Sequence, residues 1–150
     1  MVGLMKNINR IARCAEQYRN DRLEPFGLTG SQYSVILSVC REPGITQDRL
    51  SELVYINKSN VARQLSQLEE NGYVTREQGE KDRRTIKVFP TEKSLETVPV
   101  IRDTLRQWSE YITEGFDESE KEILLAMLEK MKDRAAEYLE KGYIAKGKED

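Results

Sequence analysis

The spacing of apolar residues predicts a mostly helical chain. Near the N-terminus, Ile8, Ile11 and Ala15 recur at intervals of three and four residues, which is the period of an amphipathic helix. We therefore predict a first helix over residues 4–23, ended by Pro25. A second helix is predicted to begin near Thr29, because Thr29 and Gln32 have the spacing of a capping box.

Two shorter helices follow. Thr46 is suited to be the N-cap of a helix that runs to about Leu53, and Asn57 is suited to cap the next one. That next helix has a buried stripe and ends near Gly72, at a position that favours a left-handed residue. The residues of its predicted stripe are Val61, Leu65 and Leu68.

The pattern then changes to two short strands and two long helices. The stretches "YVTREQ" and "RTIKVF" read as strands, and the charged link "GEKDR" between them predicts a hairpin. Thr91 is predicted to cap a long helix kinked by Pro99, and Asp117 to cap the last helix after the break at "GFDES". Their predicted apolar stripes are Val98, Ile101, Leu105, Trp108 and Ile112, and Leu124, Met127, Leu128, Met131, Ala135 and Tyr138.

This order of elements predicts a mainly α protein with a small β-hairpin. Residues 28–90 form a winged helix-turn-helix, flanked by a dimerisation helix over residues 1–27 and C-terminal dimerisation helices over residues 91–140. Residues 141–150 are expected to be a frayed tail. The outer helices have more apolar surface than one short domain can cover, so we predict a homodimer.

Composition narrows the classes of function. The 150-residue chain is 38% hydrophobic and has a net charge of −2, so positive charge for nucleic acid must be local. With no histidine, no phosphate-binding G-x-x-x-x-G-K motif and no nucleophile beside a base, we expect no enzyme, no metal and no cofactor. No apolar run approaches the roughly 20 residues of a membrane helix, and the two cysteines lack a C-x-x-C pattern, so we expect a cytoplasmic protein without membrane contact.

The polar face of the fourth helix points to DNA. The side nearly opposite its buried stripe is polar, with Asn60 and Gln67 flanking it. The residues on that side are Ser59, Arg63, Ser66 and Glu70. Arginine can bind guanine through two hydrogen bonds, Asn and Gln can do the same for adenine, and small side chains allow close approach to a major groove. A face that is merely solvated is the alternative reading, although such faces are usually rich in Glu and Lys.

The predicted hairpin carries a cationic tip. Lys81, Arg83 and Arg84 lie at this tip, from which an arginine can enter a narrow minor groove, and Asp82 makes sense as a group that orients a neighbouring arginine. Side chains of the tip and of the two helix starts are candidates for binding the DNA backbone. These predicted backbone contacts are Thr46, Gln47, Asn57, Lys58, Lys81 and Arg83.

Residues 29–92 resemble the MarR (multiple antibiotic resistance regulator) family. The matching stretches are "LTGSQYSVIL", "GITQDRLSELVYINKSNVARQLSQLEENGYVTRE" and "KDRRTIKVFPTEK", which combine a recognition helix, a D-x-R wing and a strand running into T-x-K. The resemblance implies a homodimeric transcription regulator, usually a repressor, on pseudo-palindromic double-stranded DNA. By position, Ser59, Asn60 and Arg63 match the major-groove residues, and Arg84 matches the minor-groove arginine of the wing.

The resemblance also suggests a small aromatic or anionic effector. It would bind between the DNA-binding lobe and the dimerisation helices, where arginine can pair with a carboxylate and aromatic rings can stack. Alternatively, the aromatic residues belong to the core and the arginines to the surface. Oxidant sensing through Cys14 is a further alternative, whereas Cys40 has core spacing. The predicted effector-binding residues are Arg13, Tyr18, Arg22, Tyr33 and Trp108.

A second class of function is a helical dimer whose winged domain binds protein rather than an operator. An apolar wing tip would favour that hypothesis. The arginines of this tip and the polar set on the fourth helix favour DNA.

Overall fold

The computed structural model describes residues 1–146, and the side chains of residues 1–141. It is mainly helical with a small antiparallel sheet, as predicted. A short 3-10 helix, Glu24–Phe26, follows the first α-helix. The helices are α1 (Leu4–Leu23), α2 (Tyr33–Arg41), α3 (Gln47–Val54), α4 (Lys58–Glu70), α5 (Glu92–Ile112) and α6 (Glu118–Lys146), and the strands are β1 (Ile45–Thr46), β2 (Val74–Gln78) and β3 (Ile86–Pro90).

The sheet has one strand more than the predicted hairpin. Its order is β1-β3-β2, and Val88 at its centre lies opposite both Ile45 and Arg76. A strand of two residues is too short to show alternation of polar and apolar positions, so the sequence pattern could not reveal β1. Because β1 precedes α3 directly, it joins the helix-turn-helix to the wing.

The core of the winged domain contains the predicted stripe of α4. Val61, Leu65 and Leu68 are fully buried, as are Leu50 of α3 and Ile101 of α5. Burying an aliphatic side chain of this size contributes about 1.5–3 kcal/mol, so these contacts account for much of the attachment of α4 to its neighbours.

The predicted caps of α3 and α4 are confirmed. The Thr46 Oγ1 accepts a hydrogen bond from the Arg49 amide at 3.1 Å, and the Asn57 Oδ1 accepts one from the Asn60 amide at 2.8 Å. Gly72 has φ of 78°, the left-handed conformation expected after α4. Short polar side chains at these positions therefore set where each helix begins.

The prediction for the start of α2 was wrong, because α2 begins at Tyr33 rather than near Thr29. Half of the capping box forms, since the Thr29 amide donates to the Gln32 Oε1 at 2.9 Å, but the Thr29 hydroxyl pairs with Ser31. Gly30 packs on α1, where its amide donates to the Asn20 Oδ1 at 2.5 Å. This contact holds residues 29–32 in a turn and delays the helix.

The last helix extends further than expected. Asp117 and Glu120 exchange 2.9 Å hydrogen bonds between amide and carboxylate in a full capping box, which confirms the predicted cap. At the other end, α6 continues to Lys146, six residues into the segment expected to fray, and Lys141 pairs with Glu137 one turn earlier. Residues 147–150 of that expected tail lie outside the described residues.

The chain divides into two compact units, residues 1–109 and residues 110–150. The first unit contains α1, the winged helix-turn-helix and most of α5. The second contains α6. The three-part division at residues 27 and 90 stays a prediction.

Candidate nucleic-acid interface

A chain of hydrogen bonds runs along the first two turns of α4. The Ser59 hydroxyl donates to the Asn57 Oδ1 at 2.9 Å, and one guanidinium nitrogen of Arg63 donates to the Asn60 Oδ1 at 2.5 Å. Ser59 and Arg63 are exposed, and Asn60 is half-buried. The helix therefore brings the three predicted major-groove residues together on one accessible surface.

The bond between Asn60 and Arg63 restricts what each can read. A bidentate contact with adenine needs both the oxygen and the nitrogen of an asparagine amide. In the free chain the Asn60 oxygen is already used by Arg63. The arginine keeps further N–H groups for a guanine, since a guanidinium has five.

Gln67, the fourth predicted major-groove residue, has a partner in the turn before α2. Its Oε1 accepts a hydrogen bond from the Gln32 Nε2 at 3.2 Å, and Gln32 is only 2% exposed. The Gln67 side chain is thereby bonded to the turn that precedes α2. An adenine contact by Gln67 would have to share or break this bond.

The residues predicted to contact the DNA backbone at the helix starts differ in whether their side chains already have partners in the protein. The Thr46 and Asn57 side chains cap their helices, and the Gln47 Oε1 is buried with no hydrogen-bond donor among the described residues. The Lys58 ammonium lies 3.2 Å from the Asp48 carboxylate, and both side chains are 71% exposed. Such an exposed pair contributes at most about 1 kcal/mol, so a phosphate can compete for Lys58.

The wing tip is a tight loop over residues 79–85. The Asp82 Oδ1 accepts a 2.9 Å hydrogen bond from the Arg84 amide, and the Asp82 carbonyl accepts one from the Thr85 amide at 3.0 Å. Asp82 thus contacts a neighbouring arginine, Arg84, through the main-chain amide of that arginine. The side chains of Lys81, Arg83 and Arg84 are exposed, so cationic groups line the end of the wing.

Sequence reasoning missed a link between the wing and α4. The Arg76 Nε donates to the Glu69 Oε2 at 2.6 Å, and its Nη2 donates to the Ser66 hydroxyl at 3.2 Å. Ser66 in turn donates to the Ala62 carbonyl at 3.0 Å. Helical spacing put Ser66 on the outward polar face, but the wing covers that side of it. No periodic signal relates a strand residue to a helix across a turn, so only the fold could reveal this link.

The family of this chain is shown by its similarity to known proteins. A family model described as MarR family matches residues 26–85. YybA of Bacillus subtilis (strain 168), an uncharacterized HTH-type transcriptional regulator, is 30% identical over 145 residues, which cover 95% of this chain and 97% of YybA. The chain belongs to the MarR family of transcriptional regulators.

Solved MarR structures have the same fold along most of the chain. A MarR transcriptional regulator from Methanosarcina mazei Go1 matches this chain with a TM-score of 0.87 at 30% identity. The match covers 92% of this chain and 99% of the Methanosarcina chain. A putative MarR family regulator from Listeria monocytogenes, complexed with 26mer DNA, has a TM-score of 0.82 at 27% identity, with coverages of 92% and 94%.

Three of the five predicted effector-binding residues of this MarR-family chain lie together. The rings of Tyr18 and Trp108 are 5.1 Å apart between centroids, and the Arg22 guanidinium carbon lies 5.3 Å from the centre of the Tyr18 ring. Tyr33 lies under the guanidinium of Arg19, whose central carbon is 4.7 Å from the centre of the ring. Arg13 is exposed on α1.

Two open cavities lie elsewhere in residues 1–109, and none of the five predicted residues lines either one. The larger, of about 610 Å³, lies beside Tyr73 and Lys93, and the smaller, of about 410 Å³, beside Cys40 and Arg102. Burial raises the pKa of the Cys40 thiol, which disfavours the reactive thiolate. Cys14 is exposed.

Two further features are absent from the part of the chain that the structure describes. No group of three or more acidic or cysteine side chains there is arranged to hold a metal ion. No helix there combines the length and the apolar character needed to cross a membrane.

Proposed function

We propose that this MarR-family protein is a sequence-specific transcriptional repressor that binds a pseudo-palindromic operator in double-stranded DNA as a homodimer. The observation that carries the proposal is the accessible polar face of α4, where Arg63 is bonded to Asn60 and Ser59 to the Asn57 cap, in the same unit as a cationic wing. The Listeria monocytogenes relative complexed with 26mer DNA supports a DNA partner.

In this proposal α4 enters the major groove. Arg63 binds guanine through its free N–H groups while Asn60 holds the guanidinium in place, and Ser59 allows close approach. Gln67 reads a base further along the helix. Phosphates lie at the start of α4, where Lys58 and the positive end of the helix dipole favour a negative charge.

The wing supplies a second contact. Arg84 enters the flanking minor groove, whose narrow A·T-rich form attracts arginine, and Lys81 and Arg83 bind phosphates. These exposed cations are grouped at one loop, so the local charge is positive although the whole chain has a net charge of −2.

Exposed apolar side chains on the second unit support the homodimer. Leu125, Met127 and Leu128 of α6 are 63%, 59% and 45% exposed, which is unusual for such residues on a helix that faces only water. A two-fold dimer would place two recognition helices about one helical turn, roughly 10 bp, apart.

Release by an effector is the remaining part of the proposal. The cluster of Tyr18, Trp108 and Arg22 presents two aromatic rings beside a cation, which suits a small aromatic anion. Such a ligand would weaken DNA binding only if it preferred a conformation that is incompatible with the operator.

The experiment that tests the proposal is selection of a preferred duplex from a random-sequence library by the wild-type protein, followed by titration of Arg63→Ala. We expect this variant to lose about 1–3 kcal/mol of binding free energy on the selected duplex and less on a random duplex. Arg134→Ala, which removes an exposed arginine of α6 with a carboxylate partner, is the matched control and should change neither.

Two results would contradict the proposal at different points. Equal losses on both duplexes would mean that Arg63 contacts only phosphate. If the wild-type protein enriched no duplex, the hypothesis of a specific operator would be refuted. That result would favour a winged domain that binds protein.

A further inference from the structure

Arg76 lies on the inner face of the wing. In the β2–β3 pairing it stands opposite Val88, which is fully buried, and its own side chain is only 24% exposed. Val74, two residues earlier on the same face of β2, is also buried. The Arg76 side chain therefore leaves the core side of the sheet and reaches α4.

The Arg76 guanidinium bonds to two residues that are one turn apart on α4. Its Nε donates to Glu69 at 2.6 Å, while its Nη2 donates to Ser66 at 3.2 Å. A planar guanidinium can hold both positions at once, whereas a lysine ammonium is a single point charge. Partial burial also makes this contact stronger than the exposed pair of Lys58 and Asp48.

The position of this contact on α4 relates the two parts of the proposed interface. Ser66 lies three residues after Arg63 and next to Gln67 in the sequence. Arg76 therefore contacts α4 close to the two side chains that are proposed to contact bases. Beyond Arg76, the rest of β2 leads to the loop that carries Arg84. A small change of angle at Arg76 would be magnified at that loop.

We infer that Arg76 is a positioning residue that sets the direction of the wing relative to the recognition helix, so that Arg84 and Arg63 reach adjacent grooves of one DNA duplex together. The inference rests on the proposed DNA-binding function. It assigns Arg76 no contact with DNA. Arg76 also neutralises the negative charge of Glu69, which is a different effect from positioning the wing. A double-mutant cycle distinguishes the two effects.

The test uses the full chain and the duplex selected by the wild-type protein, prepared with A·T-rich or G·C-rich flanks. Dissociation constants are measured for Arg76→Ala, Arg84→Ala and the double variant. We expect each single variant to weaken binding to the A·T-flanked duplex about five- to tenfold and to reduce the preference for A·T flanks. The double variant should be within about twofold of Arg84→Ala alone, because a misdirected wing has no contact left to lose.

Three further variants separate positioning from charge and from folding. Glu69→Gln in the Arg76→Ala background should not restore the flank preference. Arg76→Lys should restore it only in part, because it keeps the charge but not both contacts. Ser66→Ala removes the hydrogen bond between Arg76 and Ser66 and should reduce the flank preference. This variant provides the test if Arg76→Ala does not fold.

The outcomes that overturn the inference are distinct from those that overturn the proposed function. The inference would fail if the affinity losses of Arg76→Ala and Arg84→Ala multiplied in the double variant. It would also fail if Glu69→Gln fully restored the flank preference of Arg76→Ala. Either result would show that Arg76 does not act through the wing. An Arg84→Ala variant that binds as tightly as wild type would show that the wing makes no contact to direct. In all three cases the selected duplex would still be bound, whereas a wild-type protein that selects no duplex would refute the proposed function itself.

Discussion

Polar side chains at the start of α4 already have hydrogen-bond partners before any ligand is present. The Asn57 Oδ1 accepts hydrogen bonds from the Ser59 hydroxyl and from the Asn60 main-chain amide, and the Asn60 Oδ1 accepts one from Arg63. A side chain that is already ordered loses less entropy on binding, where about 0.5–1.5 kcal/mol is lost for each long side chain that becomes fixed. We therefore interpret Asn60 mainly as a residue that prepares Arg63 for a guanine.

Gly30 shows how a single residue can decide a helix–helix contact. A Cβ atom at Gly30 would lie 2.5 Å from the Glu16 carbonyl oxygen and 2.9 Å from the Asn20 amide nitrogen, both of them backbone atoms of α1. Backbone cannot move aside as a flexible side chain can. We expect Gly30→Ala to lower the free energy of unfolding by about 2–3 kcal/mol, as measured by urea denaturation.

Two other glycines provide matched comparisons for Gly30→Ala. Gly27 has φ of 69° and no atom within 4 Å of a Cβ, so Gly27→Ala should cost about 1 kcal/mol from backbone strain alone. Gly3→Ala meets its first neighbour at 3.8 Å and should change the stability by less than about 0.5 kcal/mol. Equal effects at Gly30 and Gly27 would mean that α1 shifts to admit the methyl group.

Among the elements, the wing ends in a loop that local hydrogen bonds close. Its tip has few apolar contacts, and the loop over residues 79–85 is closed by Asp82 and by the 2.7 Å bond from the Gly79 amide to the Thr85 carbonyl. Asp82 therefore has two opposite effects on DNA binding. Its charge repels phosphate, while its Oδ1 holds the main chain of Arg84.

Substitutions at Asp82 separate these effects. Asp82→Asn keeps an acceptor oxygen and removes the charge, so affinity for the selected duplex should stay the same or rise. Asp82→Ala removes both, and we expect affinity to fall about threefold or more because the tip loses its hydrogen bond, which contributes about 1 kcal/mol. The measurement is fluorescence anisotropy at several salt concentrations. A gain in affinity for Asp82→Ala would show that charge alone matters at this position.

For the whole molecule, the proposed dimer explains why a chain with 38% hydrophobic residues leaves so many of them in water. Exposed apolar side chains are concentrated on α6, while the winged domain has a closed core of its own. Association would bury this surface at about 25 cal/mol per Å² before the costs of binding.

We expect light scattering to give twice the 17.4 kDa chain mass at micromolar concentration. Leu128→Asp should unfold the protein rather than give a soluble monomer, because the charge falls within the proposed interface. Ala126→Asp adds the same charge to the exposed polar face of α6, between Glu122 and Lys130, and should remain a folded dimer. A stable 17.4 kDa species for the wild-type protein would refute the dimer.

The sequence by itself determined the elements and the chemistry of the candidate site. Helical spacing predicted α1 with its observed bounds, and Thr46, Asn57 and Asp117 act as the predicted caps. These features depend on residues within a few positions of one another, so they can be read along the chain. The polar set on α4 and the cationic wing tip were readable for the same reason.

Only the tertiary structure decided which distant residues meet. The late start of α2 depends on Gly30 packing on α1, and β1 forms because it pairs with β3 more than 40 residues later. The contacts of Gln32 with Gln67 and of Arg76 with Ser66 and Glu69 likewise join separate elements. Such contacts leave no periodic pattern in a sequence, because the relative placement of two elements is set by packing between them and not by the spacing within either one.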